Sequence, residues 1–67
     1  MEVTVNGKAR SVDATSVDVA ALVRLLGLEG KRIAVEHNGE IVPKSRYAQT
    51  QITAGDKLEI VAAVGGG

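Results

Sequence analysis

Few side chains in this sequence are suited to catalysis, and their spacing does not predict a conventional active site. His37 is the only histidine and there is no cysteine, which excludes a metal site built on histidines or thiolates and any thiol nucleophile. We interpret His37 as an exposed strand residue beside a turn and give it no functional role. The acidic residues are scattered singly, and the glycine turns lack the spacing of a phosphate-binding loop. We therefore expect no enzymatic activity from the chain in isolation.

The last residues offer a different chemistry, because an apolar strand runs directly into Gly65, Gly66 and Gly67. Residues without Cβ make a thin, flexible tail that can enter a narrow channel to another protein's active site. The reactive group would then be the α-carboxylate of Gly67, which becomes electrophilic when it is adenylated and then accepts sulfur, a thiol or an amine. The alternative interpretation is an inert, frayed terminus.

The composition describes a small protein with balanced charge. Its 67 residues include 8 basic and 8 acidic side chains, and 45% of the residues are hydrophobic, which predicts one small soluble domain. The zero net charge argues against a nucleic-acid partner, because phosphate binding needs an excess of basic residues on one face. No apolar run is long enough to span a bilayer and no signal peptide is evident, so we expect a cytoplasmic protein with no membrane partner.

The elements that would position the tail begin with a hairpin. Residues 2–6 alternate apolar and polar side chains, and Asn6-Gly7 is a dipeptide favoured in two-residue turns. The returning strand is predicted at about residues 9–12. A loop follows and is expected to end in a helix cap provided by Ser16 or Thr15.

A helix is predicted next, with Asp18 in its first turn and Gly27 as its left-handed stop. Its apolar stripe falls at i, i+3, i+4 and i+7, the spacing of one buried helix face. The stripe consists of Val19, Leu22, Val23 and Leu26.

From residue 32 the apolar period changes to two, which predicts a strand with Ile33 and Val35 on one face. Asn38-Gly39 then predicts a second hairpin turn. The returning strand is expected to be short or at an edge, because Pro43 cannot donate a hydrogen bond to a sheet.

An irregular crossover is predicted at residues 44–53, with Ile52 as its core anchor, and a last strand from residue 57 to about residue 64. One face of this strand carries Leu58, Ile60 and Ala62. The other face starts polar and ends apolar, which indicates that the end of the strand meets a partner. We therefore predict a docking patch that consists of Val61, Ala63 and Val64. The alternative is that the crossover loop of the chain itself covers Val61 and Ala63.

Three side chains of the crossover complete the set of candidates. We interpret Tyr47 as a cap on the sheet edge rather than a ligand contact, because a lone aromatic in a small domain normally packs. Lys44 and Arg46 are candidates for facing an acidic partner surface, but solvation is the simpler interpretation of charged loop residues.

Together these elements predict an α+β fold in which one helix covers one face of a mixed sheet of four to five strands. The first and last strands are the most apolar, and the helix provides the crossover that a parallel connection requires, so we expect these two strands to pair in parallel. The fold is then a ubiquitin-like β-grasp, with residues 1–64 as a single domain and residues 65–67 as a flexible glycine tail.

The order of several short motifs resembles the ThiS family, the sulfur carrier proteins of thiamine biosynthesis. The matching segments cover nearly the whole chain: the Asn6-Gly7 turn, residues 25–28, residues 32–45, Gly55-Asp56, residues 58–61 and the terminal glycines. The resemblance implies a β-grasp protein whose C-terminal glycine is adenylated and converted to a thiocarboxylate. The functional diglycine of the family maps onto Gly66 and Gly67, with Gly65 as an extra tail residue.

The resemblance also implies a set of partners and no intrinsic catalytic residue. The activating partner would be an adenylyltransferase of the ThiF type that resembles ubiquitin-activating enzymes, and it would use ATP while the carrier binds no cofactor. The acceptor would be a thiazole synthase of the ThiG type, and the sulfur donor a protein such as a cysteine desulfurase. Gly67 would be modified, and Gly65 and Gly66 would thread the tail.

Three alternatives remain open from the residues. The small subunit of molybdopterin synthase resembles this family in fold and chemistry but is usually longer and richer in aromatic residues. A ubiquitin-like modifier would instead form an amide with lysines of other proteins. A plain interaction module would have an inert tail.

Overall fold

The computed structural model describes residues 1–62, and its first hairpin has the predicted form. Strand β1 (Glu2–Val5) pairs antiparallel with β2 (Lys8–Ser11). Asn6 and Gly7 join them with φ angles of 52° and 80°, the positive values that a type I′ turn needs at both central positions. Residues 63–67, which include the predicted glycine tail, lie outside the described part of the chain.

The start of the helix differs from its prediction. Ser16–Asp18 form a short strand, β3, rather than the end of a loop. Asp18 caps the helix in place of Ser16 or Thr15, and its Oδ1 accepts the N–H of Ala21 at 2.7 Å. This hydrogen bond satisfies one of the donors that the first turn of a helix leaves unpaired.

The crossover has more structure than predicted. Lys44–Gln49 form a 3₁₀ helix, and Gln51–Thr53 form strand β6, which pairs antiparallel with β3. Val17 lies opposite Ile52, whose side chain is fully buried as predicted for the core anchor. Because this pairing keeps the backbone extended as far as Asp18, the helix begins later than the sequence suggested.

Helix α1 spans Val19–Leu25 and carries the predicted apolar stripe. Its side chains Val19, Leu22 and Val23 are buried, and Leu26, the C-cap residue, is half-buried. Gly27 follows with φ of 74°, so the predicted left-handed stop is confirmed.

The second hairpin is also confirmed. Strand β4 (Ile33–His37) pairs antiparallel with β5 (Glu40–Val42), and Asn38 and Gly39 form the turn with φ of 51° and 88°. β5 lies at one edge of the sheet, where the proline that follows it at position 43 removes no ladder hydrogen bond.

Five strands form one sheet in the order β2-β1-β7-β4-β5, with β7 (Lys57–Ala62) at its centre. β1 and β7 are parallel, with Thr4 opposite Lys57 and Val5 opposite Leu58. The predicted parallel pairing of the first and last strands is confirmed. A mixed sheet of five strands with one α-helix in the crossover is the β-grasp arrangement.

The core lies between α1 and the inner face of this sheet. Leu58 and Ile60 are buried in it as the strand pattern predicted, whereas Ala62, which shares their face, is exposed. The largest fully buried side chains are Leu22, Ile52, Leu58, Val3, Val19 and Val35. Their burial fixes the register of β7, because a slip of one residue would turn Leu58 and Ile60 towards solvent.

Candidate functional site at the end of strand β7

In the sequence the terminal glycines follow strand β7 after two further residues, so the end of β7 is the candidate site. On one side β4 pairs with β7 as far as its last residue, with Ile33 opposite Ala62. On the other side β1 lies opposite β7 only as far as Val5 and Leu58. Beyond Leu58, no residue of β1 pairs with this side of β7.

The side chain of Asn6 takes the place of the missing backbone. Its Oδ1 accepts the N–H of Ile60 at 2.6 Å, and its Nδ2 donates to the Ile60 carbonyl at 2.8 Å. The Asn6 backbone N–H donates to the Leu58 carbonyl at 2.8 Å, so one residue continues the ladder by two positions. From the sequence, Asn6 was predicted only to form the turn, although its side-chain amide can also take the place of a peptide group in a sheet.

The outer face of the sheet, opposite α1, carries the predicted docking patch. Val61 is 58% exposed, and Ala34, which pairs with it on β4, is exposed as well. No segment among residues 1–62 covers Val61, so its predicted exposure is confirmed. Ala63 and Val64, the other members of the patch, lie outside the described residues together with Gly65, Gly66 and Gly67, and their assigned roles stay predictions.

The opposite end of β7 contains a hydrogen bond between a histidine and an aspartate that was not predicted from the sequence. The Nε2 of His37 lies 2.7 Å from Oδ2 of Asp56, and the two side chains are only 20% and 16% exposed. His37 was predicted to be an exposed strand residue beside a turn. Its place in a strand beside a turn is confirmed, but its predicted exposure is wrong, because the hairpin β4–β5 brings its side chain to the turn that precedes β7, a contact 19 residues apart in sequence.

The electrostatics of Asp56 follow from this cluster. Partial desolvation acts to raise its pKa, but hydrogen bonds from the Thr53 backbone N–H, His37 and Asn38, with the charge of His37, outweigh that effect. The net result is a pKa below the ordinary value for aspartate. The carboxylate therefore stays ionised and serves as an acceptor that fixes the start of β7.

The crossover side chains take ordinary positions. Tyr47 packs half-buried against the core from the 3₁₀ helix, so its packing role is confirmed, but it faces a groove beside α1 rather than a sheet edge. Lys44 and Arg46 are exposed.

Neither a metal-binding cluster nor a membrane-spanning helix is found in residues 1–62. Between residues 1 and 62 no group of three or more histidine, aspartate or glutamate side chains is placed to hold a metal ion. In the same part of the chain, no helix combines the length and apolarity needed to cross a membrane. What the geometry provides is a strand end held in a fixed place, whose last two residues, Val61 and Ala62, are apolar and exposed.

A model of a known family matches this sequence over residues 3–67, and its description is the ThiS family. The chain belongs to the ThiS family. A crystal structure of the thiamine biosynthesis protein ThiS from Geobacter metallireducens superposes with a TM-score of 0.90 at 36% sequence identity, and the match covers 100% of both chains. The sulfur carrier protein ThiS of Bacillus subtilis (strain 168) is 37% identical over 62 residues, which are 92% of this chain and 94% of that one.

A third relative is longer. The thiazole synthase of Paramagnetospirillum magneticum (strain ATCC 700264 / AMB-1) is 52% identical over all 67 residues of this chain. This ThiS-family chain spans only 20% of that protein's length.

These findings decide several of the predictions. The resemblance to the ThiS family and the β-grasp fold are confirmed. As a ThiS-family member the chain matches a sulfur carrier protein and a thiamine biosynthesis protein along nearly its whole length, which supports the predicted role as a sulfur carrier of thiamine biosynthesis. The comparisons therefore favour this assignment over the small subunit of molybdopterin synthase, a ubiquitin-like modifier and an inert interaction module.

Proposed function

We propose that Gly67 is the residue that carries sulfur, as a C-terminal thiocarboxylate. In the first step an oxygen of its α-carboxylate attacks the α-phosphorus of ATP, pyrophosphate leaves, and a mixed anhydride with AMP forms. In the second step a hydrosulfide-equivalent donor attacks the carbonyl carbon. The C–O bond to AMP breaks, AMP leaves with its electron pair, and the thiocarboxylate remains. This chemistry requires no thiol in the carrier, which is consistent with the absence of cysteine.

The observation that supports this proposal most strongly is the family match, which extends to Gly67. The structure adds a physical reason why the tail works from this position. β4 on one side and Asn6 on the other fix the end of β7, so an enzyme that binds the folded domain would meet the tail at a constant place. Gly65 and Gly66 would then thread the tail into a channel too narrow for side chains.

Three partners follow from the proposal. A ThiF-type adenylyltransferase would activate Gly67 with ATP, and a ThiG-type thiazole synthase would accept the sulfur. A donor such as a cysteine desulfurase would supply the sulfur as a persulfide, from which a thiol reductant, itself oxidised to a disulfide, releases hydrosulfide. The Paramagnetospirillum magneticum thiazole synthase supports the ThiG-type partner, because a segment like this carrier occurs within that chain. ATP would bind the activating enzyme, and the carrier itself would hold no cofactor.

The docking patch would help the carrier bind the activating enzyme. Val61 exposes apolar surface on the strand that leads to the tail, and an apolar surface beside a reactive group is typical of an interface. Ala63 and Val64 would extend the same contact towards Gly65.

The intact mass of the chain tests the proposal. We would incubate it with a ThiF-type enzyme, ATP and a sulfide source, using a variant that lacks Gly66 and Gly67 as the matched control. We expect the full-length chain alone to gain the mass that replaces one oxygen with sulfur. No gain with an enzyme shown to be active on another carrier would contradict the proposal, and a gain in both chains would place the sulfur elsewhere.

A further inference from the structure

A groove of about 650 Å³ opens between α1, the loop at residues 28–32 and the 3₁₀ helix. Apolar side chains form its floor, and most of them are half-buried rather than covered: Val23, Leu28, Ile33 and Tyr47. Half-buried apolar side chains at the bottom of an open groove can bury further area against an incoming apolar group.

The rim of the groove is basic. Lys31, Arg32 and Lys44 line it, and among the described residues none of the three forms an ion pair. The one acidic residue of the rim is Glu29, and its carboxylate lies 3.4 Å from Nε of Arg24. Three unpaired cations around an apolar floor indicate an occupant that is both apolar and anionic.

The groove is continuous with the candidate site. A second cavity, of about 420 Å³, extends along Ile60, Val61 and Ala62. The two cavities have four lining residues in common: Leu28, Lys31, Arg32 and Ile33. This second cavity adds Arg10 to the basic groups. The basic rim therefore reaches the strand end that leads to Gly67, although the chain as a whole has zero net charge.

Long-range charge attraction matters most for a partner that must be captured by diffusion, since it acts mainly on the association rate. In the Paramagnetospirillum magneticum protein the carrier-like segment belongs to the thiazole synthase chain, so those two are tethered. A partner on a separate chain, such as an activating enzyme, gains more from a basic docking groove than a partner that is tethered to the carrier.

We propose that this groove docks an acidic segment of the adenylating enzyme, with one bulky apolar side chain on the Leu28–Ile33–Tyr47 floor and flanking carboxylates on Lys31, Arg32 and Lys44. This proposal rests on the proposed function, because it assigns the groove to the enzyme that activates Gly67. It separates two tasks: the groove captures the enzyme, and the tail reacts in it.

Charge reversal on the rim tests the proposal in the adenylation assay, read as pyrophosphate release against carrier concentration. We expect the double variant K31E/R32E to raise the KM for the carrier by about tenfold or more, with kcat little changed, because the substitutions act on encounter. A higher salt concentration should raise the KM for the wild-type carrier and should change the KM for the variant less.

Two further variants control this experiment. Lys8→Glu reverses an exposed charge of β2 that does not line the groove, and we expect its KM to stay within about twofold of the wild type. The conservative double variant K31R/R32K keeps the charge and should keep the KM. A folded K31E/R32E with unchanged KM and salt dependence would overturn the groove proposal alone, whereas a wild-type chain that is never adenylated would count against the proposed function.

A titration without any enzyme tests the groove even in that second case. The probe is a synthetic peptide with a central leucine and phenylalanine flanked by aspartate and glutamate, followed by NMR of the labelled carrier. We expect shifts at the amides of residues 28–33 and at Tyr47, which disappear for K31E/R32E and for a peptide with asparagine and glutamine in place of the acids. Equal shifts with the neutral peptide, or shifts located elsewhere, would contradict the proposed chemistry of the occupant.

Discussion

At its first residues β7 is fixed by polar groups on both sides, whereas at its last residues only β4 remains beside it. At the start, Asn38 exchanges two hydrogen bonds with Lys57, since its Oδ1 accepts the Lys57 N–H at 2.9 Å and its backbone N–H donates to the Lys57 carbonyl at 2.8 Å. The Thr4 N–H donates to the Asp56 carbonyl at 2.9 Å on the other side. At the end, the last group on the β1 side is the amide of Asn6.

The difference between the two ends separates folding from function along one strand. The start of β7 uses its polar groups within the domain and leaves few of them for a partner. The end of β7 keeps Val61 exposed on the strand that precedes the glycines in the sequence, and this costs stability that burial of an apolar side chain would otherwise add. Asn6 marks the boundary, because it is the last internal contact on its side before the exposed residues.

Removal of the Asn6 side-chain amide should have the largest effect on stability. We expect Asn6→Ala to lower the free energy of unfolding by about 3 kcal/mol. The substitution deletes two hydrogen bonds of about 1 kcal/mol each, and it places alanine at a positive φ that asparagine tolerates better. Urea denaturation measures the loss, and hydrogen exchange should show faster opening of the Ile60 amide. Asn6→Gly is the matched control, because it keeps the left-handed backbone and removes only the amide. A loss below about 1 kcal/mol with unchanged Ile60 exchange would show that Asn6 is not the boundary.

The sequence predicted those parts of the fold that local chemistry determines. Asn6-Gly7 and Asn38-Gly39 specify their turns because few other residues adopt positive φ, and the helical stripe follows from a period that a few neighbouring residues display. The pairing of β3 with β6 was not predictable in this way. Each of these strands has three residues, and their contact joins segments about 35 positions apart, so no local pattern records it.

At the site, too, local features could be predicted from the sequence and contacts between distant segments could not. The exposure of Val61 was predicted because strand alternation is a local property. The contact between His37 and Asp56 depends on where two separate turns meet in the fold, and no local sequence pattern predicts it. The basic groove was equally hidden, since Arg32 and Lys44 are brought together only by the folded chain.

Loss of the Asp56 carboxylate should have an intermediate effect at the other end of β7. We expect Asp56→Asn to cost about 1–2 kcal/mol at neutral pH, because the charge-assisted bond to His37 is weakened while an oxygen remains to accept the Thr53 N–H. Thermal or urea denaturation gives the value. Asp13→Asn, at an exposed carboxylate outside this cluster, is the control and should change stability by less than about 0.5 kcal/mol.

Acid should remove the stabilisation that the Asp56 carboxylate gives to the start of β7. The pKa of Asp56 is lower in the folded chain than its ordinary value, so its contribution to stability is present above the ordinary pKa of about 4 and is lost as the pH falls through the folded value. We expect the wild type to lose more stability than Asp56→Asn below about pH 4. Parallel stability curves for the two proteins in acid would contradict this assignment.

Substitution of Val61 should have the smallest effect on stability and a clear effect on activation. We expect Val61→Lys to change the free energy of unfolding by no more than about 0.5 kcal/mol, because the side chain is 58% exposed and does not belong to the hydrophobic core cluster. If the patch docks the activating enzyme, the variant should need several times more carrier for half-maximal adenylation. Ile41→Lys is the matched control, because Ile41 is 73% exposed on the same sheet but lies on the edge strand β5, which does not pair with β7. A folded Val61→Lys that is adenylated at the normal rate would reject the docking role and would leave the end of β7 as an anchor for the tail alone.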